Sequence, residues 1–234
     1  DAAAGWIYAV FYFLIYVLSL PGGIIADRTQ KYKATIISGL LVMALGYGIL
    51  SVPVFADKTG FSWVLVLTCV ALFIIAFGNG LFKGNLQAIV GQMYDNFEAE
   101  AAKKGPEELA KAKEKRDSGF QIFYVFINIG GVIAPFIAPL LRSFWLKMHD
   151  LAYNADLPRL CHEFINGAEN MSEVATENLN NLAVAVGHTG AVDVAFCNSY
   201  LEIFNTGVHF SFIASVVAML ISLTIFIATR KTFP

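Results

Sequence analysis

Residues 61–94 read FSWVLVLTCVALFIIAFGNGLFKGNLQAIVGQMY, and this stretch decides the fold. It is dominated by Leu, Ile, Val, Phe, Ala and Gly, and its one charged side chain is Lys83. A helix rises about 1.5 Å per residue, so the stretch spans roughly 50 Å, more than the ~30 Å hydrocarbon core, and must tilt or protrude. Lys83 lies about 7 Å from the midpoint near Gly78. An ammonium at membrane depth costs about 2.5–3.5 kcal/mol on insertion scales. Such a group faces a protein interior or an aqueous path more readily than lipid, which makes Lys83 the first candidate functional residue.

Outward from this stretch, further apolar segments occur at about 4–26, 35–54, 118–143 and 206–229. The chain is 57% hydrophobic and 15% charged, well below the roughly 25% charged residues of a soluble domain. The expectation is an all-α membrane protein with five transmembrane helices. Residues 1–143 hold four of them, 144–205 form an extracytoplasmic insertion, and 206–234 hold the fifth helix and a cytoplasmic end. The chain begins without Met and stops just after an apolar segment, so it is expected to be a piece of a longer protein.

The Lys and Arg positions orient the spans. Arg28, Lys31 and Lys33, then Lys103, Lys104, Lys111, Lys113, Lys115 and Arg116, then Arg230 and Lys231 fall on one side if the spans alternate. The other side has Lys58, Arg142, Lys147 and Arg159. The basic side is therefore read as cytoplasmic. Residues 95–117 carry Glu and Lys three or four apart, which predicts a short solvated helix interrupted at Gly105-Pro106. The insertion 144–205 is acidic and contains Cys161 and Cys197; on an oxidising face these can pair as a disulfide, the alternative being two unpaired buried thiols. Asn170-Met171-Ser172 matches the glycosylation tripeptide. No metal-ligand spacing, nucleotide-binding glycine loop or nucleophile elbow is present, so neither an enzyme nor a nucleic-acid-binding protein is expected.

Polar side chains at membrane depth supply the remaining candidates. Tyr8, Tyr12 and Tyr16 recur every fourth residue and form a stripe on one helix face. Gln87 lies one turn beyond Lys83. Asn128 and Tyr124 sit in a span carrying Gly130, Gly131, Pro135 and Pro139, and a bend is expected at Pro135. Gly80 and Gly84 form a small-xxx-small pair suited to close helix packing. At the end of the first span, Gly22-Gly23-Ile24-Ile25-Ala26-Asp27-Arg28 offers small residues for close approach and a carboxylate that can accept from a helix N-terminus.

That last motif resembles the cytoplasmic loop signature of the major facilitator superfamily. Gly78-Asn79-Gly80-Leu81-Phe82-Lys83-Gly84-Asn85 is similar to the Gly-x-Gly-x-x-Lys-Pro-Asn element of the proton-dependent oligopeptide transporters, and Phe123-Tyr124-Val125-Phe126-Ile127-Asn128-Ile129-Gly130 resembles their Phe-Tyr-x-x-Ile-Asn-x-Gly signature. Gly84 stands where the family has Pro, and Lys31 where it usually has Gly. The resemblance covers residues 16–135 and implies a partial N-terminal bundle, helices two to six of twelve. It further implies symport of di- or tripeptides with protons across the bacterial inner membrane, driven by the proton gradient without a cofactor. Lys83 would serve proton coupling and, with Tyr12, Tyr16, Gln87, Tyr124 and Asn128, peptide binding. Gly23, Asp27 and Arg28 would form a conformational latch. The partners implied are the peptide, protons, the lipid bilayer and transporter helices absent from this chain. Two alternatives remain open on the residues alone: a carrier of the same fold for another small solute, and a membrane-anchored extracytoplasmic binding module.

Overall fold

A computed structural model describes residues 2–54, 61–167 and 171–233; Lys58 and Asn170 lie outside these. All regular structure among the described residues is helical: α1 (Ala2–Val17), α2 (Ser19–Thr29), α3 (Tyr32–Ser51), α4 (Phe61–Lys104), α5 (Pro106–Lys147), α6 (Leu157–Gly167), α7 (Glu173–Ala185) and α8 (Val194–Thr229). Among the described residues, five segments are long and apolar enough to cross a membrane, α1 and α2 counting together. The chain is thus an all-α, multi-pass membrane helix bundle.

The first apolar segment is broken rather than continuous. Pro21 has no N–H to return to the Val17 carbonyl, and the helix restarts at Ser19, whose hydroxyl donates to the Tyr16 carbonyl at 2.5 Å. Gln30, in the left-handed region at φ 54°, ends α2. Residues 95–117 are not a separate element: α4 and α5 both run into them and meet at a single reversal. Ala, Glu and Lys there are strong helix formers, and Lys111 pairs with Glu107 and Glu108 at 3.0 and 3.1 Å. The reversal is Gly105, at φ +130°, followed by Pro106 as the first residue of α5. α5 continues as one helix through Pro135 and Pro139.

The chain divides into two compact units. The first comprises residues 1–50, 57–133 and 215–234. In it, α2 and α3 close onto α4 along glycines. A Cβ on Gly39 would come within 2.8 Å of the Gly78 carbonyl oxygen, and one on Gly22 within 2.7 Å of the Gly80 carbonyl carbon. Both are far inside the ~3.5–4.0 Å of an ordinary carbon contact, so only Gly allows these backbones to meet. The pairing expected of Gly84 does not occur: space beside it is open, as it is beside Gly23. Ile36, Leu40 and Met43 of α3, Ile89 of α4 and Phe226 of α8 form the buried apolar core of this unit.

The second unit comprises residues 51–56 and 134–214. Its core gathers Leu146, Leu157, Leu160, Cys161, Leu179, Val186, Cys197 and Tyr200. Ser172 caps α7, its hydroxyl accepting from the Ala175 N–H at 3.2 Å. The Tyr200 hydroxyl accepts from the Asn154 N–H at 3.3 Å. The Arg142 guanidinium stacks on Tyr153 and Phe204 at 5.4 and 5.5 Å. Residues that read from sequence only as a moderately polar insertion therefore have an apolar core of their own.

Candidate functional site

The site forms on α4 beside the glycine seam, one turn on from Gly80. Lys83, Asn79 and Gln87 are spaced by four and share one face. On the opposite side Leu81 and Asn85 are buried. Asn85 donates to the Gly22 carbonyl at 3.1 Å and to Leu81 at 2.8 Å, which fixes the rotation of α4 against α2. That rotation presents Lys83 to the open side.

There the Lys83 ammonium lies over the ring of Tyr16, 4.9 Å from its centroid. Tyr16 continues a ladder with Tyr12 and Tyr8, with centroid spacings of 6.1 and 5.2 Å. A cation over a tyrosine face is stabilised by the ring quadrupole by roughly 0.5 kcal/mol when exposed and about 2 when desolvated. This contact is the only charge compensation Lys83 has here, for it makes no ion pair among the described residues and no Asp or Glu occurs in the five apolar segments. The ammonium is thus held by a weak partner that a carboxylate would displace.

One turn along, Gln87 donates to the Tyr124 hydroxyl at 3.4 Å, joining α4 to α5. The structure therefore brings Lys83 to Tyr16 and Gln87 to Tyr124. It does not bring Asn128 to Lys83: Asn128 is exposed and lines a shallow hollow with Val125, Ile129, Val132 and Ile133, all on α5. Asn79 was not apparent from sequence. Its Oδ1 is shielded from solvent and has no hydrogen-bond partner among the described residues. Helical side chains lean toward the N-terminus, so Lys83 reaches back over the turn that holds Asn79. The four-residue spacing was the available signal.

At the end of α2, Asp27 accepts from the Tyr32 hydroxyl at 2.6 Å, and Gln30 donates to the Asp27 carbonyl at 2.6 Å. The donor is the side chain of the first residue of α3 rather than a backbone N–H of its terminus. Asp27 closes a local turn, Arg28 is exposed, and Gly22 rather than Gly23 makes the close approach. At the same end of α4, Arg116 reaches across to Asp95 at 2.9 Å and Glu98 at 3.4 Å. Cys161 and Cys197 are both buried and free and lie in one core; burial, and then the neighbouring Cys197 thiol, push the Cys161 thiol well above its ordinary pKa. Cys69 is exposed on α4. No cluster of three metal-ligating side chains occurs among the described residues.

The chain is similar in sequence to several proteins named as transporters. It is 34% identical over 136 residues to a di-/tripeptide transporter of Lactococcus lactis subsp. cremoris, covering 58% of this chain and 22% of that protein. It is 30% identical over 146 residues to the peptide transporter YePEPT of Yersinia enterocolitica, covering 62% and 24%. It is 34% identical over 137 residues to dipeptide and tripeptide permease B of Shigella dysenteriae, covering 58% and 23%. The matched region thus spans less than a quarter of each relative's length. No solved structure matches. The profile of the POT family matches residues 33–234, a span that holds Lys83, Tyr124 and Asn128, and the chain belongs to that family.

Proposed function

We propose that the chain supplies five helices of a proton-coupled di- or tripeptide symporter, with Lys83 at its working centre. The observation that carries this reading is the Lys83 ammonium poised over Tyr16 beside the glycine seam. A unit charge 4 Å from this ammonium would gain about 4 kcal/mol at an effective dielectric of 20. The ring offers about 2 kcal/mol at most. A peptide carboxylate entering the site, or a carboxylate from a further helix, would therefore draw Lys83 off Tyr16.

The competition supplies a coupling mechanism. When the further carboxylate is ionised it holds Lys83; when it is protonated it releases the ammonium to the peptide carboxylate. Proton binding and peptide binding then favour the same state, and two half-bundles rock about the occupied site. Gln87 and Tyr124 offer donors and acceptors to the peptide backbone, and Asn128 would join them when further helices close over α5. The basic ends of the helices face the cytoplasm of a bacterium and the membrane is its inner one, in keeping with the distribution of Lys and Arg. The proton gradient is the energy source and no cofactor takes part.

The complete carrier in proteoliposomes tests this. Lys83→Ala is expected to abolish uptake of labelled dialanine driven by a pH gradient, and Lys83→Arg to restore little, because a planar guanidinium does not replace a compact ammonium. Unlabelled dialanine should compete and sugars should not. Gradient-driven uptake at the wild-type rate in Lys83→Ala, or competition by a sugar alone, would overturn the reading.

A further inference from the structure

We propose that Cys161 and Cys197 are joined by a disulfide bond in the mature protein, tying α6 to the first turn of α8. Three observations converge. Both side chains are wholly buried, and in the same core, packed among Leu157, Leu160 and Tyr200. Each thiol also perturbs the proton affinity of the other, as neighbours within one core do. Each is also held in place by its helix. Asp193 caps α8, its carboxylate accepting from the Phe196 N–H at 2.7 Å and its carbonyl from the Cys197 N–H at 3.1 Å, which fixes the backbone of Cys197 in the first turn. Leu160 and Leu157 anchor the α6 face that carries Cys161.

The chemistry needs an oxidant, and the inference rests on the reading that residues 144–205 lie outside the cytoplasm, where protein-borne disulfides supply one. One cysteine thiolate attacks the oxidant's disulfide, forming a mixed disulfide and expelling a thiolate, which takes up a proton. The second cysteine, as thiolate, then attacks the mixed sulfur and expels the oxidant's other thiolate, which is protonated in turn. Two thiols of this chain are oxidised, the oxidant's disulfide is reduced to two thiols, and the two protons pass to it. Attack requires a thiolate and access, and the closed core denies both to Cys161. The bond therefore forms while the unit folds, and afterwards the same core shields it from reductants. The closed loop runs from residue 161 to 197, long enough for the cross-link to restrict the unfolded chain substantially.

The complete protein is expressed, cells are quenched with acid before lysis, and free thiols are alkylated under denaturing conditions before digestion and mass spectrometry. The expected result is a cross-linked pair of peptides containing Cys161 and Cys197, alkylated Cys69, and two further alkylations only after reduction. Full alkylation of Cys161 and Cys197 without reductant would overturn the proposal. Sidedness is read separately. Glu177→Cys, on the exposed face of α7, is placed in a background with all three native cysteines changed to alanine and treated with a membrane-impermeant maleimide on intact spheroplasts. Labelling of Glu177→Cys together with free native thiols refutes the disulfide and leaves the orientation standing. Labelling only after lysis refutes the orientation, and together with free native thiols it refutes both. If the bond forms, reduction during unfolding should lower the Tm of the unit by several degrees, and Cys161→Ala should do the same.

Discussion

Replacing Gly80 with alanine should damage the carrier twice, once in stability and once at Lys83. A Cβ at position 80 would stand 2.6 Å from the Leu18 carbonyl carbon, with Ser19 N at 3.1 Å. An ordinary carbon contact needs about 3.5–4.0 Å, so the α1–α2 junction must retreat by roughly 1 Å. Its neighbours are backbone atoms, not the flexible ends of side chains, so the strain cannot be relieved by a rotamer change. Forced overpacking of this kind costs about 1–3 kcal/mol. Tyr16 lies two residues before Leu18 and rides on the same junction. A retreat of about 1 Å along the line of contact would lengthen the 4.9 Å separation of Lys83 and the Tyr16 centroid to roughly 6 Å, the limit of a useful cation–π contact. Thermal unfolding in detergent and dialanine uptake in proteoliposomes measure the two effects. The expected result is a Tm lower by several degrees and uptake reduced several-fold, with Gly84→Ala, which faces open space, close to wild type in stability. Equal Tm values for Gly80→Ala and Gly84→Ala would refute the seam.

Two further perturbations separate strong from weak contributions. Asn85→Leu removes the hydrogen bond to the Gly22 carbonyl, which keeps its own helical backbone partner, and should destabilise by about 0.5–1.5 kcal/mol in the same unfolding assay. Arg116→Gln breaks the pairs with Asp95 and Glu98 but at a partly exposed site; a loss under about 1 kcal/mol is expected, shrinking as salt rises.

The five membrane helices are legible in the sequence because each is an apolar run matched against a bilayer of fixed thickness, a comparison that needs no tertiary information. The ends of α4 and α5 are less so. Polarity suggested a linker at 95–117, whereas Ala, Glu and Lys keep the helical backbone going until Gly105 and Pro106 stop it. Pro21 carried the signal for the break between α1 and α2, but a smooth apolar run around it concealed the effect. In the site, Lys83 stood out as a lone charge and Tyr16 as one of a periodic ladder, while Asn79 was overshadowed by the glycines on either side of it. Asn128 was grouped with Lys83 by the family resemblance, and the described helices do not join them.

The bundle of membrane helices, the one ammonium within it and the order of residue types around that ammonium can all be read from the linear chain. Hydropathy and periodicity are properties of each segment alone, so they survive without knowledge of its neighbours. Which glycines carry the seam, the contact of Lys83 with Tyr16, and the sharing of one core by two cysteines far apart in sequence emerge from the packing of the helices. Those facts depend on how each helix is rotated about its axis against the next, and that rotation is set jointly by backbone contacts such as Gly22 on Gly80 and by the Asn85 hydrogen bond.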